Sequence, residues 1–330
     1  MLNRLFALLT VFVASACNLV AQQTCKSIEV PVGVISMTGE SFRGLAAEDF
    51  VSQLHSKPVE LKSFAFDDGA RRVLIVIDSS KKLSSDTRKA EGLMLRALLA
   101  GARPEDTFAL LTARGSGAEV DFTSDRRAIT DAMEGSGTQE TKHAGVLDAV
   151  MAGIERFGKP QTGDAIVVMA ADLEGNRKTN AKAVAKALEE HHIRMFGLAL
   201  GPVQTRNIAA GGSMTSTTSQ GLAWTTPMMD TPYDTGDEHF FPLTVESGGL
   251  VLGAMNGDSR RSYNLSDARL TQEVQQKARA ISKMIAALYR AQVVAPPLSH
   301  TESWTIDLNN NMKKQLQQVF LLYPHALGPC

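Results

Sequence analysis

At 330 residues with 44% hydrophobic side chains, the chain is long enough to bury a core and has an ordinary globular composition. Lysine and arginine (34) nearly balance aspartate and glutamate (35), leaving a formal net charge of -1. That balance excludes a broad basic footprint for nucleic acid or an acidic membrane, so any binding is local.

The opening stretch, MLNRLFALLTVFVASACNLVAQQ, carries one positive charge at Arg4, an apolar run from Leu5 to Ala14, and small residues ending at Ala21. It reads as a secretory signal peptide over residues 1–21, because the apolar run is too short to span a bilayer. The alternative is a lipoprotein signal, with Cys17 of ASAC as the lipid carrier, although Ala14 stands where a larger aliphatic residue is usual. The expected location is periplasmic or extracellular, with no membrane span in the mature chain. Loss of the signal leaves Cys25 and Cys330, close to the two ends. In an exported protein such a pair is most simply a disulfide; two free thiols are the alternative.

From Ile28 to Phe66, short alternating runs are broken by Thr-Gly, Arg-Gly and Lys-Pro, which predicts a small β module over residues 22–68 with one helical turn near Ala46 to Phe50. The rhythm then changes. Apolar strands are expected at Val73 to Ile77, Phe108 to Thr112, Glu119 to Phe122, Ala165 to Ala170, Ile193 to Leu200 and Gly249 to Leu252. Amphipathic helices are expected at Asp86 to Ala100, Ala144 to Phe157, Ala181 to His191 and Asp267 to Tyr289. Continuously apolar strands alternating with helices predict an α/β domain over residues 69–290, with a mostly parallel, doubly wound sheet covered on both faces. The short turn at Arg114 to Gly117 predicts one antiparallel edge strand. Residues 291–330 carry further strand-like runs at Ala291 to Val294, Trp304 to Leu308 and Gln318 to Leu322, expected to pack with the N-terminal module so that both ends meet.

The strand RRVLIVIDSSKK ends in Asp78-x-Ser80. Downstream come Gly-Ser-Gly-Thr at 135–138 before a helix with LDAV, the strand AIVVMAADLEGN, and AVAKALEEHHIRMFGLALG. In this order the pieces resemble a von Willebrand factor type A (VWA) domain across roughly Arg71 to Tyr289. GLAAEDF and LYPHALGPC resemble the flanks of the VWFA-related family of secreted acidobacterial proteins. The resemblance implies a Rossmann-like sheet with a metal-ion-dependent adhesion site at the C-terminal ends of its strands, where open α/β sheets are expected to bind ligands in any case. It assigns magnesium ligands to Asp78, Ser80, Thr138 (or Thr141) and Asp172. It also implies adhesion-type binding of a protein or cell-surface ligand through an acidic group.

One position departs from the pattern: Lys82 stands where the second serine belongs. An ammonium cannot ligate a hard cation. If Lys82 points inward, its charge replaces the metal between Asp78 and Asp172. If it points outward, the remaining oxygens and water hold magnesium.

The other candidates have plainer explanations. GIERFGK at 153–159 misses the Ser or Thr of a phosphate-binding loop and ends a helix, and His191 and His192 suit a helix C-terminus. Asp234, Asp237, Glu238 and His239 match no specific metal spacing and read as a solvated loop. The long segment from Pro202 to His239 follows a strand that ends at the ligand-binding edge, and Trp224, Met228, Met229 and Tyr233 within it are candidate partner contacts. Recognisable nucleophile–base spacing is missing from the sequence, which favours a non-enzymatic binding protein over a metal-assisted hydrolase. A structural envelope scaffold is the further alternative.

Overall fold

The computed structural model describes residues 27–36, 39–78, 85–113, 119–135, 145–170, 178–203, 240–256, 268–316 and 319–329. In chain order the elements are β1 (Ile28–Ser36), a 3-10 turn (Ala47–Asp49), β2 (Phe50–Leu54), β3 (Lys57–Asp67), β4 (Arg72–Asp78), α1 (Ser85–Gly101), β5 (Thr107–Ala113) and β6 (Glu119–Thr123). They continue with α2 (Arg126–Glu134), α3 (Val146–Arg156), β7 (Ala165–Ala170), α4 (Ala181–Glu190), β8 (Arg194–Val203), α5 (Phe240–Glu246) and β9 (Val251–Asn256). The chain then closes through α6 (Ala268–Ala286), β10 (Leu288–Val294), β11 (Glu302–Leu308), α7 (Asn310–Gln315), β12 (Val319–Leu322) and β13 (Ala326–Leu327).

One sheet has the order β6-β5-β4-β7-β8-β9, parallel except for β6, which pairs antiparallel with β5 at the edge. Because strand side chains alternate between faces, β4 divides its apolar residues between two cores. Val73, Ile75 and Ile77 pack with Met94 and Leu98 of α1 and Ile281 of α6. Leu74 and Val76 pack with Val150 and Ile154 of α3 and Leu188 of α4. A sheet buried on both sides needs a continuous apolar run, and this is what LIV and IVV supply in β4 and β7.

The flanks are larger than the small β structure expected for them. They form a seven-stranded antiparallel sheet of order β12-β1-β10-β3-β2-β11-β13. Its end strands β12 and β13 are separated in sequence only by Tyr323, Pro324 and His325, so the sheet curls and its two edges approach. Its core is aromatic. Trp304 is fully buried and its indole Nε1 donates to Ser52 Oγ at 2.7 Å, and the Tyr289 ring stacks on Phe64 at 4.5 Å. The helix expected to run to Tyr289 stops at Ala286, and Tyr289 belongs to β10, between β1 and β3.

Asp67, at the end of β3, fastens one sheet to the other. It accepts from Arg71 Nη1 at 2.8 Å, Arg290 Nη2 at 3.0 Å and the Gly69 amide at 2.8 Å. Burial alone would raise its carboxyl, but these bonds and the Arg71 charge hold it well below the usual carboxylate range.

Candidate functional site at the C-terminal edge of the parallel sheet

From β4 the chain passes through α1 to β5 on one side; from β7 it passes through α4 to β8 on the other. The strand order therefore reverses between β4 and β7, and a crevice is expected beyond their C-terminal ends. Asp78 is the last residue of β4, paired in register with Ala113 of β5, and only 2% of its surface is exposed. A buried carboxylate at a strand end is costly unless it is paired or binds a ligand.

The sequence reading missed Glu91. It lies on α1, is 2% exposed, and its Oε1 has no hydrogen-bond partner. Burial raises its carboxyl well above the ordinary range, the charge of Asp78 raises it further, and Arg88 opposes the shift. The signal was present in RKAEGLMLRALL. Glu91 occupies the apolar stripe continued by Met94, Leu95 and Leu98, where a charged side chain has no ordinary place.

Of the predicted site residues, Asp78 alone is described. Ser80, Lys82, Thr138, Thr141, Asp172, the loop residues Trp224, Met228, Met229 and Tyr233, and both Cys25 and Cys330 lie outside the described residues. Among the described residues, no group of three or more His, Cys, Asp and Glu is placed to hold a metal. On the β4 side, the Asp78 carboxyl and a second carboxyl, Glu91, raised first by burial and then by the Asp78 charge, share a buried edge, and a Glu91 oxygen there lacks a donor. The magnesium ligands that the resemblance assigns are Asp78 with Ser80, Thr138 and Asp172, of which Asp78 alone is described. The ammonium of Lys82 offers positive charge but no ligand atom.

No protein-family model matches the chain, and no curated protein does. Solved structures do. An aerotolerance-related membrane protein from Bacteroides fragilis is 18% identical, with 66% of this chain and 98% of that chain covered and a TM-score of 0.43. BatB from Bacteroides thetaiotaomicron is 19% identical over 64% of this chain and 100% of that chain, TM-score 0.38. A von Willebrand factor type A structure from Catenulispora acidiphila is 8% identical over 93% of this chain and 75% of that chain, TM-score 0.44. The chain is similar to VWA structures. At these scores no residue role is carried across from them. Among the described residues, no helix is long and apolar enough to cross a membrane.

Proposed function

We propose that this is an exported, non-enzymatic binding protein of VWA type, which receives an acidic group of a protein or surface ligand at the C-terminal edge of its parallel sheet. The observation that carries the reading is Asp78, buried where the strand order reverses, with the raised carboxyl of Glu91 behind it. The Asp78 charge disfavours an acidic ligand unless a cation stands between them. Magnesium or the Lys82 ammonium would serve, and with Lys82 present an acidic partner can be met without metal. The segment from Pro202 to His239, with Trp224, Met228, Met229 and Tyr233, would add the contacts that choose the partner.

Calorimetric titration of magnesium into the mature protein tests the arrangement. Weak or absent binding is expected for the wild type, and binding tighter by roughly tenfold, about 1.4 kcal/mol, for Lys82→Ser. Tight wild-type binding unchanged by the substitution would place Lys82 outside the site. In metal-free buffer, an immobilised polyglutamate peptide should be retained by the wild type and lost by Lys82→Ala. Peptide retention by Lys82→Ala, or magnesium binding by Lys82→Ser that survives a further Asp78→Ala, would remove the site altogether.

A further inference from the structure

At the opposite end of the parallel strands, near the start of β8, lies a cavity of about 480 Å³ between the curled sheet and the helices α4 and α5. Its position follows from the topology. Among the described residues, β12 pairs with β1 from Gly33 to Ser36, β13 pairs with β11, and the first half of β1 faces β13 across an open seam. Ile28 and Val30 of β1, Leu188 and Ile193 around the end of α4, Leu243 of α5, and Leu327 of β13 form the apolar body. This is the size and character of a small-molecule site at the meeting of two structural layers.

The polar groups gather at the rim. Lys182 and Lys186 lie one turn apart on α4, both exposed, and His192 and His325 add two ring nitrogens each. Burial lowers both imidazoles, so the two lysines are the cations of the rim, and against them stand two acids. Glu189 already accepts from the Thr301 hydroxyl, and Glu246 is pushed toward its neutral form by burial. Lys186 pairs with Glu190 at 3.6 Å, which leaves Lys182 as the cation best placed for an added anion. We infer that this cavity binds a small amphipathic carboxylate, its apolar body between β1 and α4 and its charged head at Lys182. The site is separate from the Asp78 edge and stands whether or not that edge binds a ligand.

Calorimetry with decanoate, and with decan-1-ol as its uncharged counterpart, tests the inference on the mature chain. Saturable one-site binding of decanoate is expected, weakened about tenfold or more by Lys182→Glu and in decan-1-ol. Ala185→Trp, which fills the cavity from a half-buried position on α4, should abolish binding while its thermal melt stays close to that of the wild type. Should Ala185→Trp fail to fold, Lys182→Glu on the exposed rim carries the test alone. No saturable binding to the wild type, equal binding of alcohol and acid, or binding indifferent to Lys182→Glu would each overturn the proposal.

Discussion

A carboxyl forced into an apolar stripe beside a second carboxylate is pushed toward its protonated form, and Glu91 is in that position. The sign of the consequence is fixed. Because the folded pKa lies above the unfolded value, the native state holds the extra proton, so the stabilisation is full below about pH 4.5 and is lost as pH rises through the folded pKa. Glu91→Gln keeps the shape and removes the ionisation. In metal-free buffer it should raise unfolding stability on the alkaline side of the folded pKa and flatten the decline as pH rises above about 4.5. Denaturant titrations running parallel for wild type and variant across that range would show that Glu91 does not titrate as argued. At this scale Asp78 was legible, because an acid ending an apolar strand is conspicuous. Glu91 required seeing a polar residue where the helical period demanded an apolar one.

At the scale of elements, the turn from α5 into β9 is the tightest junction. Gly248 adopts φ +84°, and a Cβ there would lie 2.6 Å from the Tyr323 carbonyl carbon. A Cβ on Gly249 would lie 1.9 Å from the carbonyl oxygen of Met195 in β8, a backbone atom that cannot swing aside. Gly249→Ala is therefore expected to cost about 1–3 kcal/mol, seen as a lowered melting temperature, because β9 must move off β8. An unchanged melt would mean that the turn has slack. The strands of the parallel sheet were readable from their unbroken apolar runs, since burial on both faces leaves no other solution. Less was readable where length or long-range pairing decides. α2 buries only Ile129 fully, and α5 has seven residues including Pro242, so neither offers a sustained period. The apolar spacing Ile281, Met284, Ile285, Leu288 runs past the true end of α6, and pairing of β10 with both β1 and β3 sets the boundary at Ala286.

On the scale of the whole molecule, the two sheets share buried charge and converging chain ends. Arg194, fully buried, donates from Nη2 to the Ile285 carbonyl at 3.0 Å and lies over Phe196, and burial, reinforced by the Arg71 charge, pushes its guanidinium down to about 9. Asp67 takes Arg290 of its own sheet and Arg71, which directly precedes β4, so the Arg71 pair holds the curled sheet to the parallel one by charge as well as by the continuity of β3 into β4. That the flanking segments would meet was legible from their strand-like runs. That they would build a seven-stranded sheet was not, because antiparallel partners so distant in sequence leave no local mark. The curl bears on the cysteines. Ile28, three residues after Cys25, and Gly328, two before Cys330, line one cavity, which brings the approaches to both cysteines to the same seam. A Cys25–Cys330 disulfide is therefore expected where the chain matures in an oxidising compartment. Closing so long a loop should stabilise the fold by about 2–4 kcal/mol, visible as a lower denaturation midpoint once reductant is added. Non-reducing peptide mapping should recover the two cysteine peptides as one linked species. Recovery of both as free thiols from protein matured in an oxidising compartment would mean that the seam is held by strand pairing and the Asp67 network alone.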